Sequence, residues 1–152
     1  MRKVGELAPD FTLQDEQGRS VTLTSFRGKQ YVVLVFYPGD STYVCTQQLC
    51  ELRDNYAALS EVGALVFGLN PRGQDSHQRF TEKHGFPFPL LIDPNSAVAR
   101  QFGTALGWGA LSVTLRAVFV VGLDGRLIFA QSGRPGPQLL LEAIRGADHS
   151  PS

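Results

Sequence analysis

The sequence predicts an α/β fold: a mixed central sheet flanked by helices, with an N-terminal β-hairpin extension. Three observations carry this. Tyr31 to Tyr37 and Ala64 to Leu69 are unbroken apolar runs rich in β-branched and aromatic residues, as strands buried on both faces require. Segments with helical spacing lie between the strand candidates, so strands and helices alternate. Late in the chain, Ala117 to Val121 and Leu127 to Ala130 flank Asp124-Gly125, a hairpin signal that adds an antiparallel pair and makes the sheet mixed.

Taken in order, the elements begin with Phe11-Thr12-Leu13, the turn-rich Asp15-Glu16-Gln17-Gly18 and Val21-Thr22-Leu23, which read as a small hairpin. The Tyr31 to Tyr37 strand follows. Cys45, Leu49, Leu52, Tyr56 and Leu59 then recur at i, i+4, i+7, i+11 and i+14, one apolar face of a helix. After the Ala64 to Leu69 strand, Gln74 to His84 is a second candidate helix. Leu90-Leu91-Ile92 is a short strand bracketed by Pro89 and Pro94, and Asn95 to Phe102 is a third candidate helix. Trp108, between Gly107 and Gly109, reads as core or a packed loop. Pro137 suits the first position of a last helix running to about Ile144. Gly146 to Ser152 reads as a frayed tail. This order fits a thioredoxin-like fold, and a length of 152 residues favours a single domain over 1–152.

Composition excludes several function classes. Hydrophobic residues make up 43% and charged residues 18%, which places the chain among globular proteins rather than disordered ones. Lys+Arg and Asp+Glu are both 14, so no net field draws the chain to nucleic acid or to an anionic membrane. The longest apolar run, Tyr31 to Tyr37, is far short of the roughly 20 residues that span a bilayer. No signal peptide is visible after Arg2 and Lys3, so a reducing, cytoplasmic compartment is expected. There a cysteine pair points to redox chemistry before it points to a permanent staple. No GxGxxG or P-loop pattern supports a nucleotide cofactor.

The chemistry concentrates in Pro38-Gly39-Asp40-Ser41-Thr42-Tyr43-Val44-Cys45 and in the second cysteine, Cys50. A cysteine attacks as the thiolate, and an unperturbed thiol near pKa 8.5 is mostly protonated at neutral pH. If Thr42 or Ser41 caps the helix, Cys45 falls in its first turn, where unpaired N–H groups and the positive dipole end favour an anion. Taken alone, Cys45 also suits a small buried apolar position. Cys50 does not share its face: five residues turn about 500° and rise about 7.5 Å, which puts the two Cα atoms about 8.6 Å apart. A disulfide needs them within about 7 Å. An intact helix cannot hold a Cys45–Cys50 bond, so forming one requires the helix to unwind locally. A zinc site is disfavoured, because C-x4-C is wide for a metal and His77, His84 and His149 are scattered.

Pro38, Thr42 and Cys45 match the peroxiredoxin motif P-x-x-x-T-x-x-C in register. Cys50 five positions on resembles the bacterioferritin-comigratory, or Q-type, subgroup, which has both cysteines on one helix. The resemblance extends to Gly5-Glu6-Leu7-Ala8-Pro9-Asp10-Phe11, to Asp75-Ser76-His77 with Phe80, to Phe86-Pro87-Phe88-Pro89-Leu90-Leu91, and to Arg116 before Val118-Phe119-Val120-Val121. It implies a thiol-dependent peroxidase that reduces hydrogen peroxide and small organic hydroperoxides without metal, haem or flavin. Cys45 would be the peroxidatic thiolate and Cys50 the resolving thiol that joins it in an intramolecular disulfide. Thr42 would hydrogen-bond the peroxide and the thiolate. Arg116 would favour the thiolate and stabilise charge as the O–O bond breaks. Pro38 would shield Cys45 from bulk water. Gln48 stands where relatives often carry glutamate, and its amide would still orient an arginine.

The same resemblance implies recycling by thioredoxin or a glutaredoxin-like donor. Resolution within one helix needs no second subunit, so a monomer is expected. Departures from the family pattern are Tyr43-Val44 in place of Pro-Gly, Asn70-Pro71 in place of a serine, and an apolar, glycine-rich Thr104 to Val113. Thr42 also reads as a simple cap, Arg116 as a strand-end charge and His77 as a structural or surface residue. Two other functions compete: a thioredoxin-type thiol–disulfide oxidoreductase, which would carry C-x-x-C, and a non-catalytic redox sensor.

Overall fold

The computed structural model describes residues 1–148, and the chain opens in it with the expected hairpin, β1 (Thr12–Asp15) and β2 (Ser20–Thr22). The apolar run becomes β3 (Tyr31–Phe36), followed by α1 (Tyr43–Asp54), α2 (Tyr56–Glu61), β4 (Ala64–Asn70) and α3 (Gln74–His84). Then come β5 (Leu90–Ile92), α4 (Ala97–Gln101), β6 (Ala105–Leu106) and β7 (Val113–Thr114). β8 (Ala117–Val121), β9 (Leu127–Ser132) and α5 (Pro137–Asp148) complete the described chain.

Seven strands form one mixed sheet in the order β2-β1-β5-β4-β3-β8-β9, while β6 and β7 pair separately. All six residues of β3 are buried. β3 pairs parallel with β4 and antiparallel with β8, which explains why its sequence shows no polar alternation. Alternate residues of β3 enter two cores. Val33, Val35 and Tyr37 pack with Cys45, Leu49 and Leu52 of α1, Phe80 of α3 and Ile144 of α5. Val32, Leu34 and Phe36 pack with Val98 and Phe102 on the α4 side and with Ala8 and Phe11 of the N-terminal segment. Each buried Val, Leu or Phe contributes roughly 1.5–3 kcal/mol.

The N-terminal hairpin is an edge of the main sheet, since β1 also pairs antiparallel with β5. Its ladder sits one residue away from the expected position. Phe11 and Leu23 are core residues beside the ladder, and Leu23 opens a 3-10 turn. The long helix expected from Cys45 to Leu59 is two helices, broken at Asn55. There the side-chain amide donates to the Glu51 carbonyl at 2.8 Å and competes with the backbone pattern.

The third helix is shorter than Asn95 to Phe102. Asn95 and Ser96 adopt φ +56° and +53°, and the buried Asp93 carboxylate accepts the N–H groups of Val98 and Ala99 at 2.9 and 3.0 Å. The helix therefore starts where Asp93 can cap it. The last helix passes Ile144 and Gly146 and reaches Asp148, whose carboxylate accepts the Tyr31 hydroxyl, while Ala147 packs on the core. The frayed tail expected from Gly146 is thus helical through Asp148, and 149–152 lie outside the described residues. Trp108 is not core: it is 78% exposed, with the Arg100 guanidinium 4.8 Å over its ring. Among the described residues no helix is long and apolar enough to cross a membrane.

Candidate active site

The parallel β3–β4 pair sends the chain out of the sheet at one end, and α1 returns across it from there. Because β8 runs antiparallel to β3, Phe36 pairs with Ala117, so the start of β8 meets the end of β3. Topology therefore carries Arg116, 71 residues away in sequence, to the first turn of α1. Its Nη2 donates to Cys45 Sγ at 3.2 Å and its Nη1 to Gln48 Oε1 at 2.8 Å. Gln48, one helical turn after Cys45, fixes the guanidinium over the sulfur without adding a competing negative charge. Its Nε2 is buried without a hydrogen-bond partner among the described residues.

Cys45 is fully buried and belongs to the core cluster of the α1 face. It is also the third residue of α1, so backbone N–H groups of the first turn surround it. The core reading and the reactive reading of Cys45 therefore describe one position.

Thr42 occupies the N-cap position, and its carbonyl accepts the Thr46 N–H at 2.8 Å. Its hydroxyl makes no capping hydrogen bond, so the conditional expectation of a Thr42 side-chain cap is not met. Pro38 is exposed on the loop that precedes Thr42. Between them Ser41 takes φ +64°, a left-handed conformation that costs a non-glycine residue roughly 1–3 kcal/mol. Cys50 is half-buried on α1 and packs against the same core as Cys45; both are free thiols in this state. With the helix continuous from Tyr43 to Asp54, the two thiols are held apart as its geometry requires.

A buried polar cluster beneath this loop was not singled out as functional in the sequence. The Asp40 carboxylate accepts the Tyr37 hydroxyl at 2.8 Å, Asn70 Nδ2 at 2.9 Å, Ser76 Oγ at 2.8 Å and His77 Nδ1 at 2.5 Å. His77 also donates from Nε2 to the Leu91 carbonyl at 3.0 Å and is fully buried, as a structural histidine should be. Burial works to raise the Asp40 carboxyl, but the His77 hydrogen bond and charge, with the hydrogen bonds from Asn70 and Tyr37, outweigh it and hold Asp40 below its ordinary range. Burial first, and then Asp40, push the Tyr37 hydroxyl well above its usual value, so it remains a donor. A signal existed for His77, which lies one turn before the buried Phe80 on the same face of α3.

The arginine is expected to dominate the first chemical step. In Arg116→Met the sulfur loses the one charged donor it has among the described residues, and its oxidation by peroxide, the reaction that the sequence resemblance implies, should slow about 10²–10³-fold, the usual loss for one preorganised electrostatic donor. Stopped-flow oxidation measures this directly, and a fall below threefold would contradict the geometry.

The chain is similar to several known proteins. A model of the AhpC/TSA family matches residues 4–130. Peroxiredoxin Bcp of Bacillus subtilis (strain 168) is 36% identical over 131 residues, covering 83% of this chain and 82% of that protein. The chloroplastic peroxiredoxin Q of Sedum lineare is 42% identical over 99 residues, 65% of this chain and 53% of the plant protein, so the chain spans about half of that relative's length. Among solved structures, peroxidoxin BcpB from Mycobacterium tuberculosis superposes with a TM-score of 0.89 at 30% identity, covering 96% of this chain and 98% of that one.

Proposed function

The chain belongs to the AhpC/TSA family and is a peroxiredoxin, a thiol-dependent peroxidase, and on that premise we propose that Cys45 is the peroxidatic residue and Cys50 its resolving partner. The observation that carries the assignment is the Arg116 guanidinium on Cys45 Sγ in the first turn of a helix that also bears Cys50. In the first step the Cys45 thiolate attacks the distal oxygen of ROOH. The O–O bond breaks, the sulfur is oxidised to a sulfenic acid, and the peroxide leaves as ROH once a proton is supplied. Arg116, with Gln48 holding it, faces the charge that develops on the oxygens. Thr42 positions the peroxide from the N-cap, and Pro38 limits water at the mouth of the site.

In the second step α1 unwinds from its N-terminus and the Cys50 thiol displaces hydroxide from the sulfenic sulfur. One S–S bond forms and one water leaves. An external dithiol then reduces the disulfide by two exchange steps, through a mixed disulfide, and is itself oxidised. Thioredoxin is the proposed donor, with a glutaredoxin-like protein as its rival. The catalytic unit is the single domain 1–152, it acts as a monomer, and the reducing cytoplasm is its proposed compartment.

The test is a paired assay. Peroxide consumption driven by thioredoxin and its reductase should proceed over many turnovers, and insulin-disulfide reduction should be at background. Insulin reduction without peroxide turnover would favour a thiol–disulfide oxidoreductase, and a single slow oxidation without turnover would favour a redox sensor.

A further inference from the structure

The loop before Cys45 is fixed at one residue. Asp40 accepts four hydrogen bonds from three separate elements: Tyr37 at the end of β3, Asn70 at the end of β4, and Ser76 and His77 in the first turn of α3. Its side chain is 2% exposed and that of His77 is 0% exposed. The two ring nitrogens of His77 sit against Asp40 Oδ2 and the Leu91 carbonyl, so the ring ties Asp40 to β5. Tyr37 reaches this position because β4 carries Gly68. A Cβ there would lie 2.8 Å from Leu90 and 3.0 Å from the Tyr37 ring.

Immediately after Asp40 the character of the chain changes. Ser41 is held in a left-handed conformation, Thr42 lacks a side-chain cap, and Tyr43 and Val44 are exposed. These four residues lead into the first turn of α1, which must come apart for Cys45 to reach Cys50. The clamp and the unwinding segment are thus adjacent, with the backbone strain on the side that opens.

We infer that Asp40 is a positioning residue whose four-donor clamp holds the loop and the first turn of α1 in the closed, Arg116-paired arrangement and so sets the rate at which the oxidised site opens toward Cys50. The inference rests on the reading that Cys45 and Cys50 form the catalytic disulfide. Its logic is that of a two-state balance. Contacts made only in the closed state delay opening, and a delayed opening leaves the sulfenic acid exposed longer to a second peroxide.

Asp40→Asn tests it. An amide keeps the volume of the side chain but removes its charge and one of its two acceptor oxygens, so the charge-assisted part of the clamp is lost. After one equivalent of hydrogen peroxide, followed by rapid acid quench and mass analysis, the Cys45–Cys50 bond should form about tenfold faster than in the wild type. The peroxide concentration that overoxidises half the protein should rise by about the same factor, while the first oxidation does not speed up. Ser76→Ala removes one donor at little risk to folding and should move both readouts about threefold in the same direction. It decides the matter if Asp40→Asn does not fold. A role limited to general stability would lower the melting temperature without accelerating resolution. Resolution within twofold of the wild type, or slower, would overturn the inference. If the wild type itself formed no Cys45–Cys50 bond, the parent reading would be the one to fail.

Discussion

Cys45→Ser should abolish peroxide turnover while leaving the fold intact. The serine hydroxyl fits the space of the thiol and can still accept the Arg116 Nη2 hydrogen bond, so the site closes around it as before. What disappears is the nucleophile. A hydroxyl is far less acidic than a thiol, and neither the guanidinium nor the first turn of α1 supplies a base that would ionise it. Single buried substitutions that keep a polar partner usually cost on the order of 1 kcal/mol, small against a domain stability of roughly 5–15 kcal/mol. The variant should therefore melt as one cooperative unit within a few degrees of the parent and show no peroxide consumption above buffer. Turnover above 1% of the parent rate would place the chemistry elsewhere, and Cys50, the one other thiol in the sequence, would be the first suspect.

Cys50→Ser should separate the two halves of the cycle. Cys50 does not touch Arg116, and its removal leaves Cys45, Gln48 and the guanidinium in place. The first oxidation should proceed within about twofold of the parent, because uncoupled sites add independently. The sulfenic acid would then have no partner on its own helix. Steady-state turnover with thioredoxin should fall by at least about tenfold, and excess peroxide should convert Cys45 to the sulfinic form, seen as a gain of two oxygens in the intact mass. An unchanged steady state would mean that the donor attacks the sulfenic acid directly and that Cys50 is only a core contact of α1.

Legibility in the sequence followed the range of the interactions. β3 was plain because every residue of Tyr31 to Phe36 is buried, and an unbroken apolar run has few other meanings. The late hairpin was plain because Asp124-Gly125 fixes a turn locally: the Arg126 N–H donates to Asp124 Oδ1 at 2.9 Å, and Gly125 takes φ +85°. The cysteine pair was legible because helix geometry alone separates positions five apart. Arg116 and Gln48 became legible only through the resemblance, since no local pattern says that residue 116 meets residue 45.

The misses are cases where particular side-chain and strand pairings overrule local preference. The left-handed pair Asn95-Ser96 delays α4 because the Asp93 carboxylate waits further back to cap it. Thr104 to Val113, noted only as apolar and glycine-rich, contains β6 and the first residue of β7, with Ala105 opposite Thr114 and Leu106 opposite Val113. The Asp40 cluster needs residues 37, 70, 76 and 77 to converge, and no window along the chain contains them. Asp40 is where three elements meet.

The central claim is that one helix carries both halves of the reaction and must open between them. Intact mass and peptide mapping after a single equivalent of hydrogen peroxide test it most directly. The account predicts a protein of one-chain mass, lighter by two hydrogens, with a single bond linking the peptides of Cys45 and Cys50. A product that keeps one added oxygen, or a disulfide-linked pair of chains, would contradict it.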